Sequence, residues 1–337
     1  MKSHIMKIAP ALFILAAFAY SQDPIEPPSA LAGPELPKGF AGTFLRTDRS
    51  EKFIRETIEK LVACGTRHSL SPWTDPRRGI GCGRDRIVEF LNGVSKADAG
   101  QMQVVVDKFE ATAPRTNNQP APLENVYGIL PGSDPALSKT AIVVSGHFDS
   151  MPSDIMDPHA DAPGADDDAS GTAVSLECAR LLAIPDVVGA VFQYRATLVF
   201  AAVSGEEQGL LGGTRLLEYL KQHGYKVGAM LDNDIVGADF APGGPHRVRV
   251  FSDGGADGED SPSRELARAI EDIDGRDYVR LIFRSDRLGR GGDHLPFVKA
   301  GLAAVRFTEP LEDYHHDHQT PRVENGSWRS LPPRRKT

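Results

Sequence analysis

The chain has 337 residues, of which 40% are hydrophobic and 25% are charged, the composition of an ordinary globular protein. Its formal net charge at pH 7 is −8 and its 38 basic residues are scattered, so we do not expect a nucleic-acid partner. Beyond the N-terminal segment described next, no stretch is apolar and long enough to suggest a membrane span.

The N-terminal segment has the pattern of a signal peptide. Lys2 and Lys7 precede an apolar run over residues 8–20, and small residues follow, with predicted cleavage after Ser21. The apolar run is too short for a transmembrane helix. We therefore expect residues 1–21 to be removed and the protein to be secreted or periplasmic. Residues 22–49, rich in Pro, Glu and Gly, read as an extended leader.

From residue 50 onward, helical and strand-like patterns alternate. Apolar residues recur at helical spacing over residues 53–62 and 84–94. Strand-like segments cover residues 103–109, 125–130, 141–144, 196–203, 227–231, 247–252, 281–284 and 303–308. Helical patterns begin at residues 169, 210, 261 and 293. This alternation predicts one α/β domain over residues 50–326, with a mostly parallel mixed central sheet sandwiched by helices.

One strand end carries a histidine and an acid. The buried strand beginning at Ala141 ends in a turn that carries His147, and Asp149 lies two residues further on. Open α/β sheets place ligand sites at such ends, and imidazole and carboxylate groups are ligands that zinc accepts. Asp149 is near enough in sequence to orient the imidazole of His147. The competing interpretation is an ordinary solvated acidic loop after a strand.

Further ligand-type residues follow other predicted strands. They are the cluster Asp166, Asp167 and Asp168, the pair Glu206 and Glu207, the acids Asp232 and Asp234, and a loop containing His315, His316 and His318. Parallel strands end at one edge of a sheet, so these distant residues can converge. Two histidines and three carboxylates, one of them bridging, are enough for two zinc ions. Glu206, next to a ligand at Glu207, would remain free to take a proton from water.

Several motifs together resemble family M28 zinc aminopeptidases. They are Gly-His-Phe-Asp-Ser, Pro-Gly-Ala-Asp-Asp-Asp-Ala-Ser-Gly, Ser-Gly-Glu-Glu-Gln-Gly-Leu-Leu-Gly, Asp-Ile-Val-Gly and Asp-His-Leu-Pro-Phe, in the family order. The resemblance implies a three-layer fold, two Zn²⁺ ions and aminopeptidase activity on the N-termini of peptides or proteins. It assigns one zinc to His147, Asp167 and Asp234.

The same resemblance assigns the second zinc to Asp167, Glu207 and a histidine of the loop. It makes Asp167 the bridging ligand, Glu206 the general base, and the Asp167–Asp168 peptide cis. Alignment of residues 322–326 favours His316 as the loop ligand, with His315 and His318 as alternatives. His294 is expected to be structural.

Asp234 is preferred over Asp232 because Ile-Val-Gly follows it. Two alternative functions stay open: a glutaminyl-cyclase-like enzyme with a single zinc, and a non-catalytic peptide-binding relative. An M20-type carboxypeptidase would need a lid domain, which the 82 residues between Asp234 and His316 (316 − 234) cannot hold beside the remaining sheet. A serine hydrolase would need a Gly-x-Ser-x-Gly elbow, which the sequence lacks.

Three cysteines and an unusual tail complete the sequence. Cys64 and Cys82 either pair in an oxidising compartment or stay free, whereas Cys178 reads as a small buried hydrophobe.

Relatives of the family usually end in a helix after the histidine loop. Here residues 327–337 are basic and without periodicity, and we expect them to be disordered.

Overall fold

A computed structural model describes residues 48–184, 193–237, 247–255, 257–274, 278–284, 291–311, 318, 321–324 and 327–330. The predicted signal peptide and residues 22–47 of the leader lie outside these ranges. The described helices are α1 (Asp48–Val62), α2 (Ile80–Ala97), α3 (Ala169–Ala183), α4 (Leu211–Gln222), α5 (Pro262–Asp274) and α6 (Leu295–Lys299). Short 3-10 turns cover Pro114–Thr116 and Gly258–Asp260.

The described strands form one large sheet and one hairpin. They are β1 (Gln103–Ala111), β2 (Ala121–Leu130), β3 (Thr140–His147), β4 (Thr197–Val203), β5 (Lys226–Asn233), β6 (Val248–Phe251), β7 (Val279–Ile282), β8 (Ala304–Thr308), β9 (Pro321–Glu324) and β10 (Ser327–Ser330). The large sheet has eight strands in the order β1-β2-β4-β3-β5-β8-β6-β7.

Four parallel strands make up the centre of the sheet. β4, β3, β5 and β8 lie side by side and run in the same direction, while β2 and β6 pair antiparallel with the two outer members of this group. The carboxyl ends of the four central strands therefore meet at a single edge. Open α/β sheets bind ligands at this edge.

Helices cover both faces of the sheet. Alternate residues of β4 belong to two separate hydrophobic clusters, with Leu198 and Phe200 in one and Val199 and Ala201 in the other. The first cluster also contains side chains of α1, α2, α3 and α5, and the second contains side chains of α4 and α6. A strand buried on both faces must be apolar throughout, as β4 is. The predicted α/β class with a mixed, helix-sandwiched sheet is confirmed.

The remaining expectations have mixed outcomes. Cys64 and Cys82 form a disulfide, and Cys178 is a buried free cysteine. The prediction that the whole tail is disordered is wrong for Ser327–Ser330, which pairs antiparallel with β9 and so satisfies its backbone hydrogen bonds in a two-stranded sheet. Residues 331–337 lie outside the described ranges.

None of the described helices combines the length and apolar character that a bilayer crossing requires.

Candidate metal centre

The central strands bring their predicted ligands to the shared edge. His147 is the last residue of β3, and Asp234 directly follows β5. Glu206 and Glu207 lie in the turn after β4, before α4 begins at Leu211. Asp167 lies in the loop between β3 and α3. Parallel pairing of β3 with both β4 and β5 is what makes these segments neighbours.

Asp167 lies at the centre of the cluster. Its Oδ1 atom is 3.0 Å from Nε2 of His147, which is also 3.7 Å from Oδ1 of Asp234. Its Oδ2 atom is 2.7 Å from Nε2 of His318, which is also 3.1 Å from Oε1 of Glu207. The candidate ligand atoms within each of these two groups lie within 4.8 Å of one another. Each oxygen of Asp167 therefore faces a different group, as a carboxylate shared by two metal ions would.

The histidine of the second group is His318. His316, which the alignment favours, lies outside the described residues, as does His315. His318 is described, has φ of +52°, and directs its imidazole toward Asp167 and Glu207. The local sequence offers three histidines within four residues, and spacing alone does not distinguish between them. The choice depends on the path of the loop.

Asp168 holds the ligand loop against the sheet. Its carboxylate accepts hydrogen bonds from the backbone N–H groups of His147 (3.0 Å), Gly171 (2.8 Å) and Ile235 (3.2 Å). The same side chain caps the N-terminus of α3, and the Asp167–Asp168 peptide is cis. Asp168 thus joins the end of β3, the segment after β5 and the start of α3. In the sequence, Asp168 is one of three adjacent aspartates, and nothing there distinguishes it as a residue that joins these segments.

Glycine is required at Gly171 for this arrangement. A Cβ atom there would lie 2.0 Å from the carbonyl oxygen of Asn233, a backbone atom that cannot move aside easily. The helix consequently packs directly onto the end of β5. This close approach fixes Asp167 relative to Asp234.

Asp149 supports both His147 and the Glu206–Glu207 turn. Its carboxylate accepts hydrogen bonds from the backbone N–H groups of Glu206 (3.3 Å) and Glu207 (3.2 Å), and from the hydroxyl of Ser69 (2.9 Å). Nδ1 of His147 lies 3.2 Å from the carbonyl oxygen of Asp149 and 3.5 Å from its Oδ1. A donor at Nδ1 leaves Nε2 with a lone pair facing Asp167 and Asp234, the arrangement that a metal-binding histidine needs.

The other acids near this edge of the sheet accept hydrogen bonds from groups outside the two ligand groups. Asp232 accepts hydrogen bonds from the hydroxyl of Ser145 (2.8 Å) and from the backbone of His294 (3.2 Å). Asp166 accepts one from the backbone of Gly237 (2.8 Å). Neither acid, nor His294, belongs to the two ligand groups found among the described residues. This agrees with the preference for Asp234 and with the structural role expected of His294.

The electrostatics of the cluster favour a cation. Asp167, Glu207 and Asp234 are all at least 91% buried, and buried carboxylates are costly unless positive charge compensates them. Burial lowers the pKa of His147, but hydrogen bonds to Asp149, Asp167 and Asp234 outweigh it and raise that pKa well above its usual value. Nitrogen and carboxylate donors of this kind suit zinc. The residues present therefore fit a pair of zinc ions.

Glu206 has a different environment from the ligands. It is partly buried and belongs to neither ligand group, although its neighbour Glu207 does. Burial raises the pKa of Glu206 well above its usual value, and the nearby acids Glu207, Asp234 and Asp293 act in the same direction, while His147 opposes them. A carboxylate whose pKa is raised in this way is a better proton acceptor than an ordinary glutamate.

Comparisons with known proteins agree with a zinc-binding site. The model of the family described as "Peptidase family M28" matches residues 125–332. A protein of Pyricularia oryzae, named "Probable zinc metalloprotease", is 42% identical over 291 residues, which cover 79% of this chain and 56% of the relative. This chain thus spans little more than half the length of that relative.

Solved structures show the same fold at low sequence identity. The LapA aminopeptidase of Legionella pneumophila superposes with a TM-score of 0.56 at 17% identity, covering 90% of this chain and 74% of LapA. A glutaminyl cyclase of Fimbriiglobus ruber gives a TM-score of 0.56 at 18% identity, covering 88% of this chain and 90% of the cyclase. Because both identities are low, these likenesses bear on the fold alone.

Proposed function

The chain belongs to peptidase family M28, and from this premise we propose that it is a zinc-dependent aminopeptidase that hydrolyses the N-terminal peptide bond of peptides or proteins. One observation carries the proposal. The two carboxylate oxygens of Asp167 face two different histidines, His147 at 3.0 Å and His318 at 2.7 Å. A shared carboxylate with a nitrogen donor on either side is suited to two adjacent ions.

The residues that would hold the metal form two sets with Asp167 in common. One ion would be held by His147, Asp167 and Asp234, and the other by Asp167, Glu207 and His318. When bound, the ions supply Lewis-acid polarisation of a carbonyl and a water of lowered pKa. Three protein ligands for each ion leave a coordination position open, which is typical of catalytic rather than structural zinc sites.

Glu206 supplies the proton transfers in this proposal. Its carboxylate accepts a proton from the attacking water, whose oxygen forms a bond to the scissile carbonyl carbon. The carbon–nitrogen bond then breaks, and Glu206 returns the proton to the departing amine nitrogen. Hydrogen bonds from the backbones of Glu206 and Glu207 to Asp149 fix the turn that carries both residues. One residue can then bind metal while the next remains free for proton transfer.

We also propose that the mature protein acts outside the cytoplasm. The sequence begins with the pattern of a signal peptide, and the Cys64–Cys82 disulfide is consistent with an oxidising compartment. A glutaminyl-cyclase-like activity with one zinc stays the alternative, since cyclases share the fold. The presence of two complete ligand groups favours the aminopeptidase.

The test combines metal content with activity on one sample. We expect the mature protein to contain about two zinc ions per chain and to release the leaving group from an aminoacyl anilide, with activity lost to a chelator and restored by zinc. An N-terminally blocked anilide serves as the matched control, because an aminopeptidase needs the free amine. One zinc with cyclisation of N-terminal glutamine would favour the alternative. A folded protein without metal or turnover would contradict both.

A further inference from the structure

Arg67 is a fully buried arginine in the segment that joins α1 to α2. Its guanidinium donates hydrogen bonds only to backbone carbonyl groups among the contacts described. Nε donates to Phe148 (2.6 Å), Nη1 to Leu61 (3.2 Å) and Pro163 (2.6 Å), and Nη2 to Gly164 (2.8 Å). These carbonyls belong to three different segments of the chain, so Arg67 connects elements that do not pair through the sheet.

Two of the three segments carry metal ligands. Phe148 lies between His147 and Asp149, at the end of β3. Pro163 and Gly164 lie in the loop that leads into Asp167. One guanidinium therefore spans the two polypeptide segments whose ligands must meet at the first metal position. The backbone amide of Arg67 adds a further link.

The neighbours of Arg67 strengthen this connection. The backbone N–H of Arg67 donates to the hydroxyl of Ser150 (3.0 Å), which itself donates to the carbonyl of Ala162 (2.7 Å). Ser69, two residues beyond Arg67, donates to the carboxylate of Asp149 (2.9 Å). The Cys64–Cys82 disulfide anchors the start of the same segment to α2. The segment is thus fixed to α2 at one end. At its other end it is hydrogen-bonded to the segments that carry His147 and Asp167.

The side chain of Arg67 packs closely against two glycines. A Cβ atom added at Gly164 would lie 2.9 Å from Nη2 of Arg67, and one added at Gly83 would lie 2.9 Å from its Cδ. Burial lowers the pKa of Arg67 to about 10, while Asp149, Asp168 and Asp167 oppose that shift, so the group stays cationic at neutral pH. The positive charge of Arg67 therefore lies near these three buried carboxylates.

We infer that Arg67 is a positioning residue for the metal centre, whose guanidinium sets the separation between the His147 strand end and the Asp167 loop. This inference rests on the proposed metal binding but not on the identity of the substrate. Lysine cannot reproduce the role, because its single ammonium lacks the planar fork that reaches carbonyls on opposite sides. Nothing in the sequence pattern singles out Arg67, since a lone arginine in a loop is usually solvated.

The experiment compares zinc affinity in Arg67→Lys and wild type by competition with a chelator of known affinity. Loss of a residue that orients metal ligands typically weakens binding about 10- to 100-fold, and we expect a loss in that range. Arg180→Lys is the matched control: it removes the two-nitrogen guanidinium contact with buried Glu177 near the C-terminal end of α3, the end opposite Asp168, and should leave zinc affinity unchanged.

Thermal unfolding separates positioning from a purely structural role. Zinc raises the melting temperature by an amount set by its affinity for the folded chain. In Arg67→Lys this zinc-dependent increment should shrink, whereas a structural role alone would lower the melting temperatures of the metal-free and zinc-loaded forms equally. Unchanged affinity with an unchanged increment would overturn the inference while leaving the proposed function intact. A wild-type protein that binds no zinc would overturn both.

A second variant covers the case in which Arg67→Lys does not fold. Gly83→Ala, in α2 and outside the ligand-bearing segments, adds a Cβ atom 2.9 Å from Cδ of Arg67 and so displaces its side chain. Displacing a residue that orients metal ligands should weaken zinc binding about 10-fold or more. A folded Gly83→Ala protein with wild-type zinc affinity would overturn the inference.

Discussion

Nε2 of His318 lies 2.7 Å from Oδ2 of Asp167, while the other oxygen of the same carboxylate faces His147. His318 is 30% exposed at its side chain, whereas His147 is almost fully buried. The two candidate metal positions therefore differ in their access to solvent.

The identity of the loop ligand can be decided by mutation. We expect His318→Ala to reduce zinc content from about two ions to about one per chain, because only the second group loses its nitrogen donor. His316→Ala should retain both ions. Elemental analysis after dialysis against a fixed free-zinc concentration measures the difference. The reverse pattern would restore His316, the ligand favoured by the alignment.

Glu206→Gln should separate metal binding from catalysis. The amide keeps the size of the side chain but cannot accept the proton of the attacking water, and positioned acid–base groups contribute about 10²- to 10⁴-fold to rates. We expect kcat to fall by that factor with zinc content unchanged, measured on an aminoacyl anilide. Glu218→Gln, on the exposed face of α4, is the matched control and should retain wild-type turnover. Nearly full activity in Glu206→Gln would refute its assignment as the base.

Zinc binding should release protons at neutral pH. Burial lowers the pKa of both His147 and His318, but the neighbouring carboxylates outweigh it and raise both values well above normal in the metal-free protein. The direction of both shifts favours the protonated imidazoles in the metal-free protein at neutral pH. Zinc requires neutral imidazole, so binding should displace about two protons per chain.

Titration calorimetry in two buffers of different ionisation enthalpy measures this release. His318→Ala should release about one proton fewer. Heats that do not depend on the buffer would contradict the expectation.

The raised pKa values of His147 and His318 also make the stability of the metal-free protein depend on pH. The protonated imidazoles stabilise the metal-free fold fully below pH of about 6.5, and this contribution is lost as pH rises through their raised pKa values.

The Cys64–Cys82 disulfide should contribute substantially to stability. It joins residues 18 apart in sequence, and closing a loop of that size stabilises a fold by about 3 kcal/mol through the restricted unfolded chain. We expect the double variant Cys64→Ser/Cys82→Ser to lose about this much in urea unfolding of the metal-free protein. Cys178→Ala keeps the disulfide and should remain sensitive to reductant, unlike the double variant. Equal stability of the double variant and wild type would contradict the prediction.

Much of the fold follows from local patterns in the sequence. The uninterrupted apolar run of β4 indicates a strand covered on both faces, and the helical spacing before Val62 indicates one buried face of α1. Ligand-type residues follow successive strands, which indicates the groups that contain His147, Asp167, Glu207 and Asp234, and the resemblance to family M28 aminopeptidases selects these four members. Parallel strands end at the same edge, so a predicted parallel sheet places these residues along one edge, whereas the sheet order decides which of them are neighbours.

The remaining features depend on contacts between segments far apart in the chain. The choice of His318 depends on the path of a loop, which residue types and spacing leave undetermined. The roles of Asp168 and Arg67 depend on backbone groups that approach them from distant segments, and a sequence does not show where such groups lie. The sequence alone therefore determined the fold class and the chemistry of the ligands. The tertiary structure decided which histidine completes the site and what holds it in place, because those outcomes depend on distances between segments that are not neighbours in the chain.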